Sequence, residues 1–270
     1  MLLNFRKKSG KGSRGYSGQR LEKSGRKAAG ARAAAPLLTK NSPFAMAEAY
    51  KTLRTNITFS LPGEGCKRIG LTSALMSEGK STNAINLAIA FAETNARVLV
   101  IDCDMRRPSL AKGLGIPASP GLSNVLVNLA ELDQAISRTH HEYLDILPSG
   151  DIPPNPTELL GSEKMAQIMD TLSGRYDYIF IDLPPVCMVA DALIMSGHLN
   201  GMLFVIRQNE SDQESVRHAI AQLQFANAKV LGFILHGVET RKKSRYGRKG
   251  YYRYGYGYHY SYGYGAGSDR

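Results

Sequence analysis

The chain has no tryptophan and only three cysteines, and none of its apolar runs approaches the roughly 20 residues that a membrane span requires. Cys66, Cys103 and Cys187 lie far apart, with no CxxC pair and no even-numbered framework, so neither a disulfide scaffold nor a zinc site is indicated. The opening MLLNFRKKSGK is too short and too basic for a signal peptide, and the expectation is a cytosolic protein. Acidic residues are nearly missing from both ends. Residues 1–40 hold 11 Lys or Arg against Glu22, residues 241–270 hold 8 against Asp269, and the 200 residues between carry 15 bases and 21 acids. The net charge of +11 thus belongs to the ends, which argues against a basic globular face shaped for a nucleic-acid groove. Basic arms that meet anionic lipid, polyphosphate or nucleic acid stay open.

What is present divides into three parts. Residues 1–40, rich in Gly, Ser, Ala, Lys and Arg, have no apolar periodicity and read as a basic disordered arm. Residues 241–270 read as a mobile tail that packs nine of the fourteen tyrosines into residues 246–264: Tyr246, Tyr251, Tyr252, Tyr254, Tyr256, Tyr258, Tyr260, Tyr262 and Tyr264. Its interleaved Gly, Arg, His and Ser offer nothing for a core. Residues 41–240, within a 270-residue chain that is 43% hydrophobic, suffice for one full-sized core.

In that middle part, KRIGLTSA, ARVLVID, YLDILPS, YDYIFID, GMLFVIR and KVLGFILHG read as short buried strands. Helical spacing fills the gaps, over Thr82 to Asn95, Asn155 to Leu172 and Ser211 to Ala226, with a further helix from about Pro43 to Ser60 ahead of the first strand. Strands alternating with helices predict a doubly wound α/β domain with a mainly parallel sheet, whose ligands sit at the carboxyl ends of the strands.

The first strand runs into TSALMSEGKST and then a helix. A strand, a tight loop with GK[ST] and a helix wrap backbone N–H groups around phosphates, with Lys80 set for the β and γ phosphates and Ser81 for Mg²⁺. Ser77, Glu78, Gly79 and Thr82 complete the candidate loop, while Ala74 stands where GxxxxGK[ST] has its first glycine. Two other strands end in acids, Asp102 with Asp104 and Asp182. Carboxylates at strand ends beside a phosphate loop can hold Mg²⁺, directly or through water, and accept a proton from an attacking hydroxyl.

The order of phosphate loop, VLVIDCDMRRP, LPSGDIPPNPTELL, YDYIFIDLPP and a terminal tyrosine cluster resembles the bacterial protein-tyrosine kinases of capsule and exopolysaccharide synthesis, in their stand-alone cytosolic form. The resemblance implies a P-loop NTPase fold of the MinD/ParA-like type, ATP and Mg²⁺ as cofactors, essential aspartates at Asp102 and Asp104, and a metal-site aspartate at Asp182. It implies autophosphorylation of the tail, a transmembrane activator or polysaccharide co-polymerase whose cytosolic tail completes the site, and protein substrates in sugar-nucleotide metabolism. EAYKTLRTNI is similar to the family's subunit-contact motif, implying a ring-like homo-oligomer held through Glu48, Lys51 and Arg54, with Lys51 in place of the middle arginine. Ser77 replaces the usual loop glycine, and His236 falls where relatives place an asparagine near the base.

On this reading Asp102 orients and deprotonates a tyrosine, Lys80 and the metal neutralise charge on the γ-phosphoryl group, Asp104 and Asp182 position the metal, and Arg106 supports the phosphates. The membrane partner would place the protein on the inner face of the plasma membrane, and the arm, which lies outside the resemblance, would meet anionic lipid near it. Two alternatives stand beside it. One is a ParA- or MinD-like positioning ATPase, against which Leu75 occupies the place of an extra loop lysine; the other is a regulator that binds nucleic acid through the Tyr/Arg/Gly tail.

Overall fold

The structure, a computed structural model, describes residues 36–238. The basic stretch up to residue 35 and the Tyr246–Tyr264 cluster lie outside the described residues. In chain order the elements are α1 (Phe44–Ser60), β1 (Lys67–Ser73), α2 (Lys80–Ala92), β2 (Val98–Asp102), α3 (Leu110–Leu114), α4 (Leu122–Leu126), α5 (Leu132–Ala135), β3 (Ser137–Arg138), β4 (Leu144–Leu147), α6 (Pro156–Leu160), α7 (Glu163–Ser173), β5 (Tyr178–Asp182), α8 (Asp191–Met195), β6 (Gly201–Arg207), α9 (Gln213–Phe225) and β7 (Val230–His236).

The seven strands form one sheet in the order β3-β4-β2-β5-β1-β6-β7. Every pairing is parallel except β3 with β4, which is antiparallel. This is the doubly wound sheet expected from the alternation of elements. Its central strands are covered on both faces, which is why they read as nearly continuous apolar runs. Odd and even positions point to opposite sides: Leu99, Ile101, Ile179 and Ile181 join a core with α7 and α9, whereas Val98, Val100 and Phe180 join one with α1 and α2. In the second core Phe91 of α2 packs at a tilt against Phe180 and Tyr178, with ring centroids 5.2 and 4.3 Å apart.

Three differences from the sequence reading have physical causes. The span 155–172 is two helices, because the chain breaks at Gly161 and the Ser162 side chain accepts from the Met165 amide to start α7 afresh. The two-residue β3 has no period of its own and is held only by its ladder with β4. The packed unit also begins before residue 41: Leu38 is buried against the α1–α2 side, and its amide donates to Asn86 Oδ1 at 2.8 Å. Among the described residues no helix is long and apolar enough to cross a membrane.

Candidate active site

The site lies at the carboxyl ends of β1, β2 and β5, neighbours in the sheet. β1 ends at Ser73, and the loop that follows returns to the chain at Gly79, whose φ of +100° makes it the left-handed residue that opens α2. Ser77, where a glycine is usual, does take positive φ, at 64°. Ala74 does not; it keeps an ordinary backbone, is fully buried, and its carbonyl accepts from the Cys187 amide at 3.3 Å. An alanine is therefore unstrained at the position where the sequence pattern asks for glycine.

The loop is pinned from outside as well. The buried Glu78 carboxylate accepts from the Leu75 amide at 2.8 Å through Oε2, and its Oε1 is bonded to the Ser211 hydroxyl. Arg207 at the end of β6 donates to the Ser77 carbonyl at 2.8 Å. In Glu78, a candidate for holding nucleotide, the carboxylate braces the loop against the segment that leads into α9. Lys80 is buried at the first position of α2, with Ser81 and Thr82 beside it on the same turn.

Opposite the loop, Asp102 and Asp182 are register partners on adjacent strands. Both are fully buried. Asp102 Oδ2 accepts from the Ser109 and Leu110 amides at 2.9 and 3.0 Å, and Oδ1 from the Asp104 amide at 3.2 Å. Burial, with repulsion from Asp182 next, nonetheless pushes the Asp102 carboxyl up to about 8, against the pull of those amides. Burial also raises Asp182, to about 6, opposed by the Lys80 charge and the Ser81 hydroxyl, and neither Asp182 oxygen makes a well-formed hydrogen bond within the described residues. Asp104, slightly exposed at the mouth, is raised by burial and held down by Lys80.

Three carboxylates thus cluster here, and the Lys80 charge acts on two of them, Asp104 and Asp182. The buried, unsatisfied oxygens of Asp182 and this excess of negative charge are what a bound divalent cation would relieve. The residues present fit a magnesium ion that reaches the protein through one or two carboxylates, a hydroxyl and phosphate oxygens.

Arg106, expected at the phosphates, is committed elsewhere. Its guanidinium lies 3.2 Å from Asp191 Oδ2 and donates to Thr157 Oγ1 at 2.9 Å, while Thr157 donates to Asp191 Oδ1 at 2.6 Å. This tie joins the turn after β2 to α6 and α8. Glu48 and Lys51 pair with each other at 2.8 Å on the exposed side of α1. Arg54 turns inward and donates to the Ala90 carbonyl, ten residues along α2 from Lys80 and so about 15 Å from the loop. The structure therefore brings Lys80, Ser81, Asp102, Asp104 and Asp182 together, while Glu48 and Lys51 pair with each other and Arg54 bonds the far part of α2. The sequence reading missed Asp191, Thr157, Ser211 and Arg207. Their signal is weak because each is a polar residue in a loop or at an element end with a partner remote in sequence.

Fold and loop define a P-loop nucleotide-binding protein. The family model described as "AAA domain" matches residues 76–231. Tyrosine-protein kinase YwqD of Bacillus subtilis (strain 168) is 38% identical over 203 residues, 75% of this chain and 86% of that protein. The kinase domain of Escherichia coli tyrosine kinase ETK superposes with a TM-score of 0.70 at 29% identity, covering 80% of this chain and 88% of that one. The septum site-determining protein MinD of Pyrococcus horikoshii, complexed with Mg-ADP, superposes with a TM-score of 0.55 at 28% identity over 64% of this chain and 71% of that one. MinD shares the fold, but the kinases match more of the chain and match it better. The chain belongs to the bacterial tyrosine-protein kinases, a P-loop family of enzymes built on the MinD-like sheet.

Proposed function

We propose that the protein transfers the γ-phosphoryl group of ATP to tyrosine hydroxyls, first those of the Tyr246–Tyr264 cluster on a neighbouring copy, and that through this cycle it regulates capsule or exopolysaccharide synthesis. The observation that carries the reading is the buried acid group Asp102–Asp104–Asp182 set across from Lys80 in the loop. The loop amides and the α2 N-terminus receive the phosphates, and the Lys80 ammonium lies over their oxygens. Ser81, Asp104 and Asp182 would hold Mg²⁺, which when bound supplies positive charge against the phosphate oxygens and the crowded carboxylates. A tyrosine hydroxyl at the mouth loses its proton to the Asp102–Asp104 pair, whose burial makes it more basic than ordinary carboxylates. The tyrosine oxygen then bonds to the γ-phosphorus, the bond to the β–γ bridging oxygen breaks, and ADP leaves.

Nine tyrosines each gaining about −1.5 to −2 charges would turn the basic tail strongly negative, and repulsion between tails would loosen the oligomer held through α1. A transmembrane activator would complete the nucleotide site with its cytosolic tail, and the basic arm would meet anionic lipid beside it. The test is γ-labelled ATP with Mg²⁺ on the purified chain, alone and with a candidate activator tail. Label on Tyr246–Tyr264, lost with Lys80→Met, with chelation and with deletion of 241–270, is the expected result. ATP hydrolysis without phosphotyrosine under every condition would overturn it in favour of a positioning ATPase.

A further inference from the structure

Helix α2 is apolar along most of its length, yet it carries two asparagines, Asn83 and Asn86, that are 2% and 0% exposed. A buried amide is tolerated only when its donors and acceptor find partners. Here they find one another across three elements. The Leu38 amide donates to Asn86 Oδ1 at 2.8 Å, and Asn86 Nδ2 donates to the Tyr50 hydroxyl at 3.1 Å. Tyr50 donates to Asn83 Oδ1 at 2.9 Å. Asn83 Nδ2 donates to the Gly79 carbonyl at 2.8 Å and lies 3.2 Å from His236 Nδ1.

The direction of this chain of bonds is fixed. The Leu38 N–H can only donate and the Gly79 carbonyl can only accept, which settles which way each asparagine amide faces. Tyr50 has a single proton and spends it on Asn83 Oδ1. The second Nδ2 proton of Asn83 then goes to His236 Nδ1, so His236 is neutral with its own ring proton on Nε2.

The endpoint is the last residue of the phosphate loop. The Gly79 carbonyl accepts from both the Asn83 amide, at 3.0 Å, and Asn83 Nδ2. Because the peptide unit is planar and trans, fixing that carbonyl fixes the Lys80 N–H on its opposite side, one of the donors that face a bound phosphate. The His236 ring closes the other flank, filling the space where a Cβ on Gly79 would stand, 2.6 Å away.

We propose that Asn83 is a positioning residue for phosphate binding, and that the Tyr50 hydroxyl makes α1 and the Leu38 segment part of the same unit, so that how α1 is held sets the affinity of the loop for nucleotide. The proposal rests on the kinase reading only for the identity of the ligand. Satisfying two buried amides would by itself require the bonds, but not a link between Tyr50 and the loop that nucleotide can sense.

Tyr50→Phe separates the two. It keeps the ring and its packing and removes one oxygen, so that Asn83 Oδ1 loses the Tyr50 donor and Asn86 Nδ2 loses the Tyr50 acceptor. Two measurements on the full chain decide: binding of a fluorescent ADP analogue with Mg²⁺, and amide hydrogen exchange of residues 76–86 without nucleotide. The expected result is about tenfold weaker binding and about tenfold faster exchange in the loop. In the Tyr50→Phe/His236→Ala double variant the loss should be no larger than that of the worse single change, because both side chains act through Asn83. A lower melting temperature with unchanged affinity and exchange, or additive losses in the double variant, would overturn the proposal. If the unaltered chain bound no nucleotide, the nucleotide reading would fall, while the exchange comparison would still decide the network.

Discussion

The backbone demands of the loop fall on single residues, and they fall unevenly. Ser77 pays the cost of a left-handed φ that a glycine would escape, whereas Ala74 meets no such demand. Ser77→Gly should leave stability within about 0.5 kcal/mol, because relief of a strain of about 1 kcal/mol is offset by the freedom glycine gains in the unfolded chain. Gly79→Ala is the opposite case: its φ is +100° and a Cβ would meet the His236 ring. That change should cost about 2 kcal/mol or more in urea unfolding and remove binding of the ADP analogue. Lys80, Ser81 and the three aspartates were legible because their types and spacing carry chemistry. Asn83, Asn86 and Tyr50 were not, since an asparagine in an apolar helix announces a need for partners without naming them.

At the scale of elements, period and composition located every long strand and helix, and they failed where an element is defined by its neighbours. β3 exists only as a ladder with β4, and α6 and α7 part at a cap that the periodicity runs straight through. The Arg106–Thr157–Asp191 tie was equally hidden, because hydrophobic patterning tells which face of an element is covered and not which polar group meets which. This tie fastens the turn that carries Asp104 to α6 and α8. Asp191 is fully buried, but Arg106 is 40% exposed at its side chain, so water compensates part of a broken pair. Asp191→Ala should therefore cost about 1–2 kcal/mol by urea unfolding, less than the loss of a wholly buried pair, and should lower phosphotransfer by loosening the turn.

For the whole molecule, the separation of charge was visible at once in the sequence, but the depth at which Asp102 and Asp182 are buried inside the acidic middle was not. Asp102 and Asp182 titrate higher in the folded chain than in the unfolded one, so the folded state holds extra protons. Their stabilising effect is complete below the ordinary carboxylate value of about 4 and is lost as the pH climbs through about 6 and then 8. His236, lowered by burial and then by Arg207, works the other way, stabilising above its ordinary value and losing that as the pH falls. The nucleotide-free protein should become easier to unfold with urea between pH 5 and 8, and Asp182→Asn should flatten that slope and raise the melting temperature by about 2–6 °C while abolishing phosphotransfer. A slope unchanged by Asp182→Asn would contradict the assignment of the burden to this pair.

The last described strand, β7, ends at His236, whose ring touches the phosphate loop, and the chain continues from there toward its tyrosines. Only seven residues separate Val238 from Tyr246, at most about 27 Å of extended backbone. A substrate leashed this close to an active face, on its own copy or on one bound alongside, is present at millimolar effective concentration whatever its affinity. Under the proposed function the enzyme would choose its tyrosines by geography, and a free peptide of the same sequence would compete with them only at millimolar dose.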